Sequence, residues 1–315
     1  MKKLSVSLAA FVILVAASAH AEAIEEKNVV SGKIKLDPAQ GYILVSGTTR
    51  YQGMFIRIPD ADDWASYRAD WEKAYAKAQK DYPGKLRNWQ SNVDIAKKSG
   101  TKLPPKPKEP TPASISIGPI EPRLIASFGP QYVYQKDKAT SHYSYLTSVK
   151  PGTYIWYGPA IYAAAGAAAG YCNCMGSVKF VVKPGVVTDT GDFLMSVARR
   201  DGLIGFDKLD REPDVFSSSG DGSGEVAPET AVYGVPDTLK ALPSGRAEFT
   251  ASGKMDNFYS LMVNRLRPIP GILGYHRDDV IDLRTGKVIP VQIAPFDRTA
   301  DDDAGDEVED AAAAK

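Results

Sequence analysis

Val149-Lys150-Pro151-Gly152-Thr153-Tyr154-Ile155-Trp156-Tyr157 and, further on, Val178-Lys179-Phe180-Val181-Val182-Lys183-Pro184-Gly185 decide how this chain is read. The tetrapeptide Val-Lys-Pro-Gly occurs in both, at Val149–Gly152 and Val182–Gly185. Proline presets φ at the first central position of a β-turn, and glycine takes positive φ at the second. Each copy therefore reads as a type II turn beside a strand. Thr153–Tyr157 is apolar on both faces, which predicts a strand covered on both sides. Between the copies lies an Ala/Gly-rich stretch, Ala160–Gly170, followed by the chain's two cysteines, Cys172 and Cys174.

Strand signals continue on either side. Ile34–Leu36, Tyr42–Val45 and Met54–Ile58 are short β-type runs punctuated by Gly41, Gly47 and Gly53. In the third, Met54, Ile56 and Ile58 share one face, the alternation of a half-buried strand. Further runs are Ser114–Ile117, Arg123–Phe128, Gln131–Gln135, Tyr143–Thr147 and Val186–Thr188. Short strands with frequent turn signals and no βαβ rhythm predict a mainly β fold, a β-sandwich.

One segment breaks the pattern. Asp60 can cap a helix, with Asp63 at the capping-box position. Trp64, Tyr67, Trp71 and Tyr75 follow at helical spacing, and Pro83-Gly84 marks a break. Leu86, Trp89, Val93 and Ala96 form a second stripe. The expectation is two helices, a hairpin inserted between sheet strands. Aromatic stripes ordinarily pack as core, and the alternative is a protein- or glycan-binding surface. Leu103–Pro112 holds five prolines and predicts an extended polyproline II segment returning to the sheet. Met255, Phe258, Tyr259, Met262 and Leu266 are spaced for one more helix, stopped by Pro268. Val288–Ile293 reads as a last strand.

Residues 1–21 have the form of a secretory signal: Lys2 and Lys3, the apolar run Leu4–Ala17, and Ala19-His20-Ala21 as cleavage site. The expected destination is the periplasm or the exterior, with no transmembrane span after cleavage. Losing Lys2 and Lys3 takes the formal charge from 0 to −2. The acidic tail 301–315 carries seven acids and one lysine, so the body before it is +4. That is too mild to suggest nucleic acid as a partner. The tail reads as a disordered, solubilising end. The domain expectation is a sandwich from 22–59 and 113–195, a helical insertion at 60–102, a linker at 103–112, and an extension at 196–300 packed on the sandwich. Ser217–Gly224 within that extension reads as a flexible loop.

Chemistry is sparse. In an oxidising compartment Cys172 and Cys174 are expected to pair, as a structural pin or as a redox couple; two local thiolates are too few for a structural zinc. The mature chain has two histidines, His142 and His276. Tyr275-His276-Arg277-Asp278-Asp279 is a polar cluster that reads as a solvated loop or as part of a hydrolase site using His276 with Asp278 or Asp279. Ser99-Gly100-Thr101-Lys102 matches S-x-x-K in form but ends a helix instead of opening one. No nucleotide, P-loop or metalloprotease pattern stands in context, so neither a cofactor nor a metal is expected.

Tyr145–Gly158 followed by Gly176–Phe193 resembles bacterial envelope proteins of the DUF2846 type and the transthyretin-like, carboxypeptidase-regulatory-like sandwiches. The likeness rests on Val149-Lys150-Pro151-Gly152-Thr153-Tyr154 and on Val178–Gly185. It implies a non-catalytic, immunoglobulin-like sandwich and carries over no functional residue. The expected function is a secreted, non-enzymatic protein that binds or scaffolds an envelope protein or glycan. Trp64, Trp71 and Tyr171 are its candidate contacts.

Overall fold

A computed structural model describes residues 21–137, 142–162, 168–195 and 228–293. The leader through residue 20, the loop Ser217–Gly224 and the tail 301–315 lie outside the described residues. In chain order the first strands are β1 (Glu22–Ile24), β2 (Gly41–Gly47), β3 (Gly53–Arg57), β4 (Ile125–Phe128), β5 (Gln135–Asp137) and β6 (His142–Val149). Then come β7 (Gly152–Gly158), β8 (Ala160–Tyr162), β9 (Ala168–Cys172), β10 (Ser177–Val182) and β11 (Val187–Asp189). The last are β12 (Ser244–Arg246), β13 (Thr250–Ser252), β14 (Met262–Val263), β15 (Leu273–His276), β16 (Asp279–Asp282) and β17 (Lys287–Val288). Helix α1 is Glu26–Val30 and helix α2 is Ala61–Ser99.

The protein is mainly β and built on two facing sheets. One has the order β1-β6-β2-β11-β12, with β5 also paired to β6; the other is β13-β10-β7-β3-β4. Side-chain alternation sorts the residues into three layers. Ile43, Val45, Phe55, Tyr145, Tyr154, Trp156, Val178 and Phe180 meet between the sheets. Met54, Ile56, Ile155 and Tyr157 point to the outer face of the second sheet. Tyr42, Leu44 and Leu146 point to the outer face of the first. Both outer faces are covered, so β3 is buried throughout where its alternation predicted a half-buried strand.

The repeated Val-Lys-Pro-Gly marks the corners where the chain changes sheet. The first copy joins β6 of one sheet to β7 of the other, and the second joins β10 back to β11. At the second, Gly185 has φ +67° and the Val186 N–H donates to the Lys183 carbonyl over 3.4 Å, a type II turn. The first is not type II: Gly152 has φ +153°. An added Cβ there would stand 3.0 Å from Arg57 Cδ.

The insertion is one helix, not two. Asp60 and Asp63 close a reciprocal capping box at its start. Gly100 ends it in the left-handed region, with the Thr101 N–H bonded to the Ala96 carbonyl. Pro83 stands inside. The reason it does not break the helix is phase. Buried or half-buried Trp64, Tyr67, Trp71, Tyr75, Tyr82, Leu86, Trp89, Val93 and Ala96 keep one helical stripe across it, while Pro83 itself lies on the exposed side. Loss of one N–H bond and local crowding, about 3 kcal/mol, is outweighed by packing along that stripe.

The stripe is covered by the chain's own return. Pro104, Pro107 and Pro110 are half-buried at intervals of three, the period of a polyproline II helix, while their neighbours are exposed. The Trp89 indole N–H donates to the Pro104 carbonyl, Trp71 to Ile115 and the Tyr67 hydroxyl to Gly118. Ser114–Ile117, expected as a strand, belongs to this return and contains the end of a 3-10 turn, Pro112–Ser114. Ile34–Leu36 is also not a strand.

Met255–Leu266 is not helical. Met255 and Leu266 are buried and Phe258 and Tyr259 half-buried, but Met262 is exposed and the backbone is engaged elsewhere. Met255 N–H donates to the Cys174 carbonyl and Asn264 N–H to the Cys172 carbonyl. The Asn257 carboxamide bonds both the N–H and the carbonyl of Leu261, and Ser260 takes φ +53°. Further on, Leu266, Ile269, Ile272, Leu273 and Val280 join the layer between the sheets. Of the expected strand Val288–Ile293, only Val288 falls in β17, and Ile293 is buried beside Met255 and Leu261.

Candidate functional site

Cys172 and Cys174 form a disulfide, with 5.1 Å between their Cα atoms. It pins the end of β9, the centre of the small sheet β14-β9-β8. Both cysteines are buried, 0 % and 3 % exposed, against Tyr157, Met255 and Leu261. Asn173 between them donates its backbone N–H to the Tyr157 carbonyl over 2.6 Å. Its buried carboxamide has no hydrogen-bond partner among the described residues. The surface over this pin is apolar: Met262, beside half-buried Tyr171 in register, and Val263 are each more than half exposed. Met175, also exposed, is tied to them through its N–H to the Asn264 carbonyl.

Trp64 and Trp71 lie at the root of α2. Trp64 meets the Tyr67 ring edge-on and packs on the outer layer of the second sheet. Trp71 stacks on Tyr75 and spends its N–H on Ile115. Both are half-buried, so they tie the helix down and leave only part of each ring outward. An ionic cluster secures the same root. The Arg57 guanidinium, 6 % exposed, grips both Asp63 oxygens and reaches Asp60. Lys150, from the first sheet-crossing corner, also bonds both acids. Burial alone would raise the Asp60 carboxyl; the Lys150 ammonium and the Asp63 N–H outweigh it and hold it well below the usual carboxylate range. The Tyr154 hydroxyl nearby is pushed up by burial and donates to the Lys150 carbonyl.

His276 and Asp279 face each other across the β15–β16 hairpin, with Arg277 and Asp278 at its tip. All four are exposed. The other histidine has more company. Asp137 pairs with His142, Gln135 with Ser144, and Ser144 with Ser46, so all five side chains share one face of β5, β6 and β2. They line a cavity of about 260 Å³ roofed by Val232–Pro236. The His142 Nε2 is buried there without a hydrogen-bond partner among the described residues. The Ser144 hydroxyl donates to the Gln135 carbonyl. Such a set can hold a small polar ligand. Sequence reasoning missed it because Asp137 and His142 meet only once β5 is known to pair with β6; the one local signal is the His142-x-Ser144 spacing on a strand. The roof is held by Asp189, whose carboxylate accepts the N–H groups of Gly191 and Gly234 and is raised by burial.

Among the described residues, no cluster of three or more His, Cys, Asp or Glu side chains is placed to hold a metal ion. Within the same residues, no helix is long and apolar enough to cross a membrane. Comparison with family models, curated proteins and solved structures gave no match to this chain.

Proposed function

We propose that this is a secreted, non-enzymatic β-sandwich protein that binds or scaffolds a component of the cell envelope. The observation that carries the reading is the arm formed by α2 and its proline-rich return. From Trp71 to Ser99 the helix is about 42 Å long at 1.5 Å per residue. Among the described residues, its ties to the sandwich come from its first ten residues and its cap, and beyond Tyr67 its apolar stripe is spent on its own proline-rich return. A chain that orders so many residues without adding to its central core has built reach. The apolar ground around Tyr171, with Met175, Met262 and Val263, offers a second contact on the sandwich itself; methionine-rich surfaces adapt to partners.

Photo-crosslinking residues placed at Arg87, Met262 and, as control, Lys240 test this in the native host. A discrete adduct at Arg87 or Met262 and none at Lys240 is the expected result. Turnover on a substrate panel with no adduct at either position overturns it.

Thiol–disulfide exchange requires attack on a sulfur, and the burial of both cysteines works against it. Hydrolysis gains one specific observation, the shared face of Asp137, His142, Ser144 and Ser46. It would show as ester turnover abolished by His142→Ala.

A further inference from the structure

The arm's charge is not spread evenly. From Lys77 to Glu109 the chain has nine basic residues and three acids, a net +6, whereas the whole body before the acidic tail is only +4. The rest of that body, the acidic root of the arm included, is therefore net negative, and the positive charge is gathered on the outer part of the arm. At the tip, Ile95–Lys108 contains Lys97, Lys98, Lys102, Lys106 and Lys108 and no acid. All five lysines are exposed. Among them stand two bare aliphatic side chains, Ile95 at 58 % and Leu103 at 51 % exposure. The helix dipole favours Lys97 and Lys98 in the last turn, but it does not account for the three lysines beyond Gly100 or for the aliphatic pair.

Resting on the scaffold reading above, we infer that the arm tip docks on an anionic phospholipid surface. Lysines there meet headgroup phosphates, and Ile95 and Leu103 enter the headgroup boundary. The aliphatic pair is what selects a lipid over a polysaccharide. A hydrated polyanion gives Ile95 and Leu103 nothing, whereas a bilayer interface takes up apolar side chains flanked by lysines whose stems lie along it. The rigid hairpin would hold the sandwich some tens of ångströms off that surface, leaving Tyr171 and its neighbours free for a partner.

The test is co-sedimentation of the purified chain with phosphatidylcholine vesicles, with and without phosphatidylglycerol, at low and high salt. Three variants are compared: Lys97→Gln/Lys98→Gln/Lys102→Gln, Ile95→Ser/Leu103→Ser, and the control Lys33→Gln/Lys35→Gln/Lys240→Gln. Circular dichroism verifies that the helix persists in each. The chain should bind only the anionic vesicles and leave them at high salt. Each tip lysine lost should weaken binding roughly fivefold, so the triple variant should fall by about a hundredfold while the control is unchanged. The serine pair should weaken vesicle binding by about threefold to tenfold without changing retention on heparin. Equal binding to neutral vesicles, indifference to the tip lysines, or heparin retention without vesicle binding each overturns the inference. The last of these would name a polyanionic polysaccharide instead. A surviving adduct at Met262 in any of these cases keeps the scaffold reading, and loss of both defeats it.

Discussion

The Trp89 indole N–H donates to the Pro104 carbonyl over 2.9 Å, joining residues fifteen apart in sequence. This bond closes the far half of the arm, where, among the described residues, the helix packs on its own return. Trp89→Phe keeps the ring's bulk and removes the donor. A net hydrogen bond is worth about 1 kcal/mol, a large share of what holds so thin a structure. Hydrogen exchange should quicken in residues 88–106 and trypsin should cut at Lys98 or Lys102, while the sandwich's melting temperature stays where it was. Unchanged protection in the arm would show that the bond is incidental.

Gly84 is a weak point in α2 with room to improve. A Cβ there meets nothing nearer than Arg87 Nη2 at 4.0 Å. Glycine in a helix interior is less favourable than alanine by about 0.8–1 kcal/mol. Gly84→Ala should slow exchange on both sides of Pro83 by about threefold to fivefold. A loss of protection would mean that the helix needs the bend that Pro83 and Gly84 permit together.

How far the sequence reveals this molecule depends on whether the deciding contact is local. Thr153–Tyr157 shows its two covered faces because alternation is a property of the strand itself. Val-Lys-Pro-Gly announces a corner, but the same four residues serve a hairpin and a sheet crossover, so the change of sheet was not visible. Pro83-Gly84 hid the continuity of α2, although the spacing from Tyr82 to Leu86 already kept the stripe in phase. The three-residue period of Pro104, Pro107 and Pro110 was readable as well; which helix it would cover was not. Met255–Leu266 has a helix's spacing, and only pairing with Cys172 and Cys174, some eighty residues earlier, determines otherwise. The shared face of Asp137, His142 and Ser144 was hidden for the same reason.

Asp60 makes the root of the arm acid-sensitive. Its carboxyl is held below the ordinary range near 3.9, in the folded state only. Its contribution is therefore full above that unfolded value and disappears as pH falls through the lower folded one. Asp60→Asn can still cap the helix but does not titrate. The variant should lose less stability than the wild type between about pH 4 and pH 2, read by urea denaturation at each pH. Parallel curves would place the acid sensitivity elsewhere.

Arg57 is the more costly member of the cluster to lose. Arg57→Met fills similar space and leaves Asp63, 14 % exposed, with only Lys150 as a cationic partner among the described contacts. Breaking a buried pair from one side costs about 3–5 kcal/mol, and the partial exposure of Asp63 puts this case near the lower end. Replacing Lys150 by methionine should cost less, because its side chain is 34 % exposed. Equal losses for the two variants would mean that the bidentate Arg57–Asp63 geometry adds nothing.

The ring that the disulfide closes should contribute less than the packing of its two buried cysteines. A bond across one residue closes a three-residue ring, and the loop-entropy relation gives about 1.5 kcal/mol for so small a loop. Because both sulfurs are buried, a reductant must wait for β9 and β14 to separate. Thiol titration of the native protein should therefore stay near zero under reductant and rise only with denaturant. Cys172→Ala/Cys174→Ala should fold, lose about 2–4 kcal/mol once its cavities are included, and expose Met262 and Val263 to faster exchange. Rapid reduction of the native protein, with its stability otherwise intact, would instead mark the pair as an accessible redox couple.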